Sequence, residues 1–166
     1  MKSPLCALAL AILPAAAAAA EPSQIIPLPL SPVVPAPLRD CAQRTASGVG
    51  YSVLKTAQGV KPTDGSYVLV NYIGYLAATG ATFDQAMQAP MPVAGVIPGF
   101  AEGIKLMPKG SIYRICVPAA QGYGAEDKGP IPANSNLVFQ VELLDMRSAA
   151  EVEAAQAQAQ QQAPKP

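Results

Sequence analysis

The chain has 166 residues, with 11 Lys or Arg balancing 11 Asp or Glu, and no stretch gathers enough basic side chains to neutralise a phosphate backbone. Histidine is absent and the 3 cysteines are scattered, which removes the commonest zinc ligand and the commonest general base. Nucleic acid as a partner, hydrolytic triads and zinc chemistry are thereby set aside, and the length suits one ordinary domain between biased ends.

Residues 1–20, MKSPLCALALAILPAAAAAA, place one Lys ahead of an apolar run that ends in small residues, the layout of a secretory signal. Ala18 and Ala20 supply an A-x-A pattern, so cleavage is expected after Ala20 and a mature chain from Glu21. The alternative is an uncleaved anchor, but the apolar run falls short of the roughly 20 residues a span needs and contains Pro14. Cys6 has too little apolar sequence before it for lipid attachment.

Residues 21–40 begin with EPSQIIPLPLSPVVPAPL, whose frequent prolines remove amide donors and favour extended geometry. A spacer is expected, with a docking motif for SH3-like partners as the other reading.

Over 41–147 the pattern becomes short alternating strands broken by Gly, Pro, Asn and Asp. In SYVLVNYIGYL, Val68 and Val70 share a face with Tyr72 by the period of two. In SIYRICV, Tyr113, Ile115 and Val117 oppose Ile112, Arg114 and Cys116, which puts Cys116 on the less buried side. In LVFQVELL, Leu137, Phe139, Val141 and Leu143 point one way while Gln140 and Glu142 point to an expected wet face. One short helix is expected between them: Pro98 suits its first turn, Phe100, Ile104 and Met107 recur at helical spacing, and Pro108 with Gly110 ends it. An antiparallel sheet with a single short helix makes an α+β fold. Residues 148–166, rich in Ala and Gln, permit a helix but lack an apolar stripe, and are expected to form a mobile tail.

Four strings, VNYIGYLAATGATFD, PMPVAGVIPGFAEGIKLMPKG, QGYGAEDKGPIPANSNL and LVFQVELL, resemble the FKBP family of macrolide-binding prolyl isomerases in order, spacing and residue type. The resemblance covers roughly 50–146 and its specificity rests on the combination. It implies a twisted antiparallel sheet wrapped around one short helix, and peptidyl-prolyl cis-trans isomerase activity without any cofactor. The partners implied are proline-containing unfolded or newly secreted polypeptides, together with macrolide inhibitors. A binding module of the same fold with little isomerase activity is the alternative.

Carried over residue by residue, the resemblance gives Tyr72, Phe83 and Asp84 as an aromatic wall and buried carboxylate, and Ile97 as the backbone N–H that holds a substrate carbonyl. Val96 is a wall residue beside it. Phe100 stands where the family usually has a Trp floor, Tyr123 where a phenol donates to substrate, and Ile131 and Phe139 where apolar walls close the cleft. Tyr72, Asp84, Ile97 and Tyr123 form the catalytic set, with Asp84 orienting Tyr72. The segment 91–96 is shorter than the family's and lacks its two Phe residues, with Met91 and Val93 nearest; the loop at 126–129 also departs in length or register. Taken singly, Tyr72, Phe83 and Phe139 read as core residues, Asp84 as a turn residue, Tyr123 as a loop aromatic and Ile97 as a helix start.

This site suits the implied chemistry. An X-Pro bond turns over a resonance barrier of roughly 18–20 kcal/mol without proton loss or covalent intermediate, so shape, dryness and a few donors suffice. After signal cleavage Cys41 and Cys116 are the remaining thiols, and in an exported, periplasmic protein either a disulfide or two free thiols is open.

Overall fold

A computed structural model describes residues 24–28 and 33–162, and the expected secretion signal over 1–20 lies outside them. Six strands form one antiparallel sheet: β1 (Gln43–Arg44), β2 (Gly50–Lys55), β3 (Tyr67–Leu76), β4 (Thr82–Pro92), β5 (Ile112–Val117) and β6 (Leu137–Arg147), in the order β1-β2-β5-β6-β3-β4. Helix α1 (Pro98–Lys105) crosses one face, and α2 (Ala149–Gln162) follows the last strand.

The alternation in the sequence sets which face meets α1. The register pairs Val70 with Leu143, Tyr72 with Val141 and Gly74 with Phe139, while β5 sets Tyr113, Ile115 and Val117 opposite Val141, Phe139 and Leu137. All of these side chains therefore point to one side, where they bury Phe100, Ile104 and Met107 in the main core. Helix α1 begins on Pro98, whose missing N–H costs nothing in a first turn. It approaches the sheet closely because two of its residues lack side chains: a Cβ on Gly99 would lie 2.6 Å from Val117, and one on Gly103 would lie 2.5 Å from Ile115.

The opposite face corrects the expectation of a wet surface. Ile73, Tyr75 and Val138 are buried there under Ile26 and Val34, with Leu28 and Leu38 packed alongside. Gln140 is buried, and its amide both donates to and accepts from the Ile26 backbone at 2.7 Å. Arg114, also buried, donates to the carbonyls of Asp40 at 3.2 Å and Gln24 at 3.0 Å. The described part of the proline-rich segment is thus a strap docked on the sheet, not a free spacer. Its prolines break helix while Ile26, Val34 and Leu38 bury apolar surface. Cys41 and Cys116 are joined in a disulfide that ties the end of the strap to β5.

The tail expected to be mobile is helical over Ala149–Gln162. Ser148 starts it with a capping box: its Oγ accepts from the Glu151 N–H at 3.2 Å, and the Glu151 carboxylate accepts from the Ser148 N–H at 2.7 Å. That bond holds the Glu151 carboxyl below its ordinary pKa. Among the described residues no helix is long and apolar enough to cross a membrane.

Candidate active site

The site forms where β3, β4, β6 and α1 meet. On β3, Gly74 stands between Phe139 of β6 and Asp84 of β4. A Cβ there would lie 2.7 Å from the Phe83 ring and 2.8 Å from the Phe139 ring, so only glycine lets the two rings meet across it. They do so edge to face, with centroids 5.6 Å apart at 84°. A register shift between Gly74 and Tyr75 leaves Phe83 as the extra residue on β4, which turns it and Asp84 toward the same face.

A second bulge on β4 lies between the Tyr72–Ala86 and Val70–Ala89 pairs, where Gln88 takes φ 50° and its N–H donates to Asn71 Oδ1 at 2.8 Å. One extra residue restores the phase, so Met91, paired with Val68, faces the same side as Asp84 despite the odd separation.

Phe100 rises from α1 to lie 4.7 Å from Phe139 and 6.3 Å from Tyr72 between ring centroids. The result is an aromatic hollow of about 310 Å³. Tyr72 donates its hydroxyl to Asp84 Oδ2 at 2.6 Å, and that carboxylate, expected to be buried, is exposed because it stands on the edge strand β4. Burial first, and then the bond to Asp84, raise the phenol above its ordinary pKa, so Tyr72 remains a neutral donor locked onto the carboxylate. Ile97 is the residue before α1, and among the described residues its N–H meets no acceptor.

Of the residues expected here, Tyr72, Asp84, Val96, Ile97, Phe100, Tyr123 and Phe139 line the hollow. Phe83 and Ile131 do not border it directly: Phe83 meets Phe139 edge to face, and Ile131 is buried in the same core cluster as Phe100 and Phe139. Met91 and Gly95 complete the lining and were not among the expected site residues. The resemblance offered Met91 only as a residue near the family's phenylalanines, since the bulge that turns it inward depends on a positive φ at a non-glycine residue, Gln88. Val93, the other residue nearest the family's phenylalanines, is fully buried in the core instead.

An antiparallel sheet closed over one short helix, with an aromatic hollow between them, defines an FKBP-like α+β domain, and solved structures agree. The crystal structure of FkpA from Escherichia coli matches with a TM-score of 0.61 at 37% identity, over 64% of this chain and 52% of that one. A peptidyl-prolyl cis-trans isomerase from Pseudomonas syringae pv. tomato matches with a TM-score of 0.60 at 31% identity, over 64% of this chain and 80% of that one.

The chain belongs to the FKBP-type peptidyl-prolyl cis-trans isomerase family, whose profile matches residues 58–144, more than half of the sequence. Among curated relatives, the FKBP-type peptidyl-prolyl cis-trans isomerase FkpA of Aeromonas hydrophila is 41% identical over 110 residues, 64% of this chain. Outer membrane protein MIP of Legionella longbeachae is 38% identical over 109 residues, 63% of this chain. The chain spans 41% and 46% of the length of these two relatives.

Proposed function

We propose that the hollow catalyses cis-trans isomerisation of X-Pro bonds in exported polypeptides. The observation that carries this reading is the aromatic cluster of Tyr72, Phe100 and Phe139 with two polar groups beside it, the Ile97 N–H and the Tyr123 phenol. A prolyl ring seated on Phe100 buries apolar surface, and water is stripped from the amide whose resonance opposes rotation. The Ile97 N–H takes one flanking carbonyl and the Tyr123 hydroxyl another, holding the chain while the bond twists. The bond to Asp84 fixes the Tyr72 ring as a wall, and Val96 closes the side. No proton leaves and no covalent bond forms.

Three features favour an exported, periplasmic setting: the signal-like residues 1–20 with cleavage after Ala20, the disulfide, which persists in oxidising compartments, and a relative named an outer membrane protein. Substrates are then newly secreted or unfolded chains with slow proline steps. Macrolides that mimic a prolyl ring compete for the same hollow.

The test is isomerisation of a proline tetrapeptide by the chain beginning at Glu21, with and without a macrolide. Catalysis that the macrolide inhibits is the expected result; rates equal to buffer defeat the reading. One observation favours a second reading, a binding module with little turnover: Phe100 is a smaller floor than the Trp usual in the family. Replacing Phe100→Trp raises turnover and macrolide affinity together, by about threefold or more, if the floor carries the prolyl ring. It leaves both unchanged if the module binds chains elsewhere.

A further inference from the structure

The β1–β2 turn reaches two of the elements that build the hollow. Ser47 Oγ lies 2.7 Å from both carboxylate oxygens of Glu102, on the helix that carries Phe100, and 2.9 Å from Thr45 Oγ1. The Ser47 carbonyl accepts a hydrogen bond from Gln121 Nε2 at 2.6 Å. Gln121 closes the 3-10 turn Ala119–Gln121 and stands just before Gly122 and Tyr123.

The turn that presents Ser47 is itself held, by the Thr45 N–H on Val49 O at 2.9 Å and the Gly48 N–H on Thr45 O at 3.1 Å. Its base is anchored by the Cys41–Cys116 disulfide. The bonds around Tyr123 are otherwise local: the Gly124 N–H on Ala119 O, the Glu126 N–H on Tyr123 O and the Asn134 N–H on Gly124 O. The Ala119 N–H also donates to Asn136 Oδ1, which ties the start of the loop to the approach to β6. The bond from Gln121 reaches the other way, to the turn beside α1.

We propose that Gln121 is a positioning residue, which through the Ser47 carbonyl fixes Tyr123 relative to the helix that carries Phe100. One residue, Ser47, holds the loop by its backbone and the helix by its side chain, so the two walls share a reference point. The inference rests on the isomerase reading for its effect on catalysis, but the brace is measurable without turnover.

Two variants separate donor chemistry from bulk. Gln121→Glu keeps the shape and loses the donor; Gln121→Lys restores a long donor. The glutamate variant raises KM for a prolyl tetrapeptide about three- to tenfold with a smaller change in kcat, and speeds hydrogen exchange of the amides of residues 122–126. The lysine variant recovers most of both. In a Tyr123→Phe background the effect of Gln121→Glu on KM shrinks, because the group it positions is already lost. Additive effects in that background, a lysine variant no better than the glutamate one, or unchanged exchange overturns the proposal. If the wild type has no turnover, the isomerase reading fails separately, and the exchange comparison of the same three proteins decides the brace.

Discussion

Tyr75 and Tyr72 lie on one strand, three residues apart, and burial acts on both while only one faces the hollow. Tyr75 is fully buried under the strap, donating to the Leu38 carbonyl at 2.6 Å, and burial pushes its phenol up to about 12 although Arg114 and Arg39 pull the other way. In the unfolded chain the same phenol ionises near pH 10. Below pH 10 both states hold the proton and the native contribution is complete; between about pH 10 and 12 only the unfolded state loses it, so stability falls across that window. The loss attributable to Tyr75 is about 2–3 kcal/mol. Denaturant melts at stepped pH show a steeper alkaline decline in the wild type than in Tyr75→Phe, which starts lower because it lacks the bond to Leu38; parallel curves refute the assignment. The sequence marked Tyr72 through its neighbours in the motif, whereas nothing local marked Tyr75 as buried, because its cover lies 37 residues upstream at Leu38.

Helix α1 was legible from Pro98, the spacing of Phe100 and Ile104, and the Pro108 and Gly110 stop. Its distance from the sheet was not, since that depends on Gly99 and Gly103 meeting Val117 and Ile115. Gly103→Ala therefore costs roughly 1–3 kcal/mol through overpacking, although alanine is the better helix former. Adding Ile115→Ala opens the space the new methyl needs, and the double mutant is destabilised by less than the sum of the two single changes. Urea melts of all four proteins measure the coupling, and strict additivity would show that helix and sheet do not touch at this point. Since Phe100 rides on α1, the same displacement moves the floor of the hollow. For α2 the Ala- and Gln-rich composition permitted a helix, and the Ser148–Glu151 capping box that starts it is a finding of the structure.

Across the described residues, the strap and the disulfide hold the segment ahead of β1 against the far side of the sheet. Ile26 and Val34 cover a face that the strand pattern alone assigned to water, and Arg114 and Gln140 gain backbone partners there in place of solvent. The disulfide closes a separation of 75 residues, for which the chain-entropy argument gives about 4 kcal/mol. Reduction is expected to lower the denaturant midpoint accordingly, and a Cys41→Ser, Cys116→Ser variant should show the lower midpoint with or without reductant. An equal midpoint for the wild type in both conditions would mean that the bridge does not form in solution.

The sequence by itself determined the phases of β3, β5 and β6, the single helix under the sheet and the family to which the chain belongs, because each is written in short-range periodicity, breakers and motif order. It also named most of the residues that line the hollow. Only the tertiary structure decided that Met91 borders the hollow while Phe83 and Ile131 pack beside it, that Gln140 is buried, and that the described part of the proline-rich segment is a strap. These outcomes depend on bulges, which change the phase of a strand, and on contacts between residues far apart in the chain. Local pattern carries no information about which distant segment will cover a face.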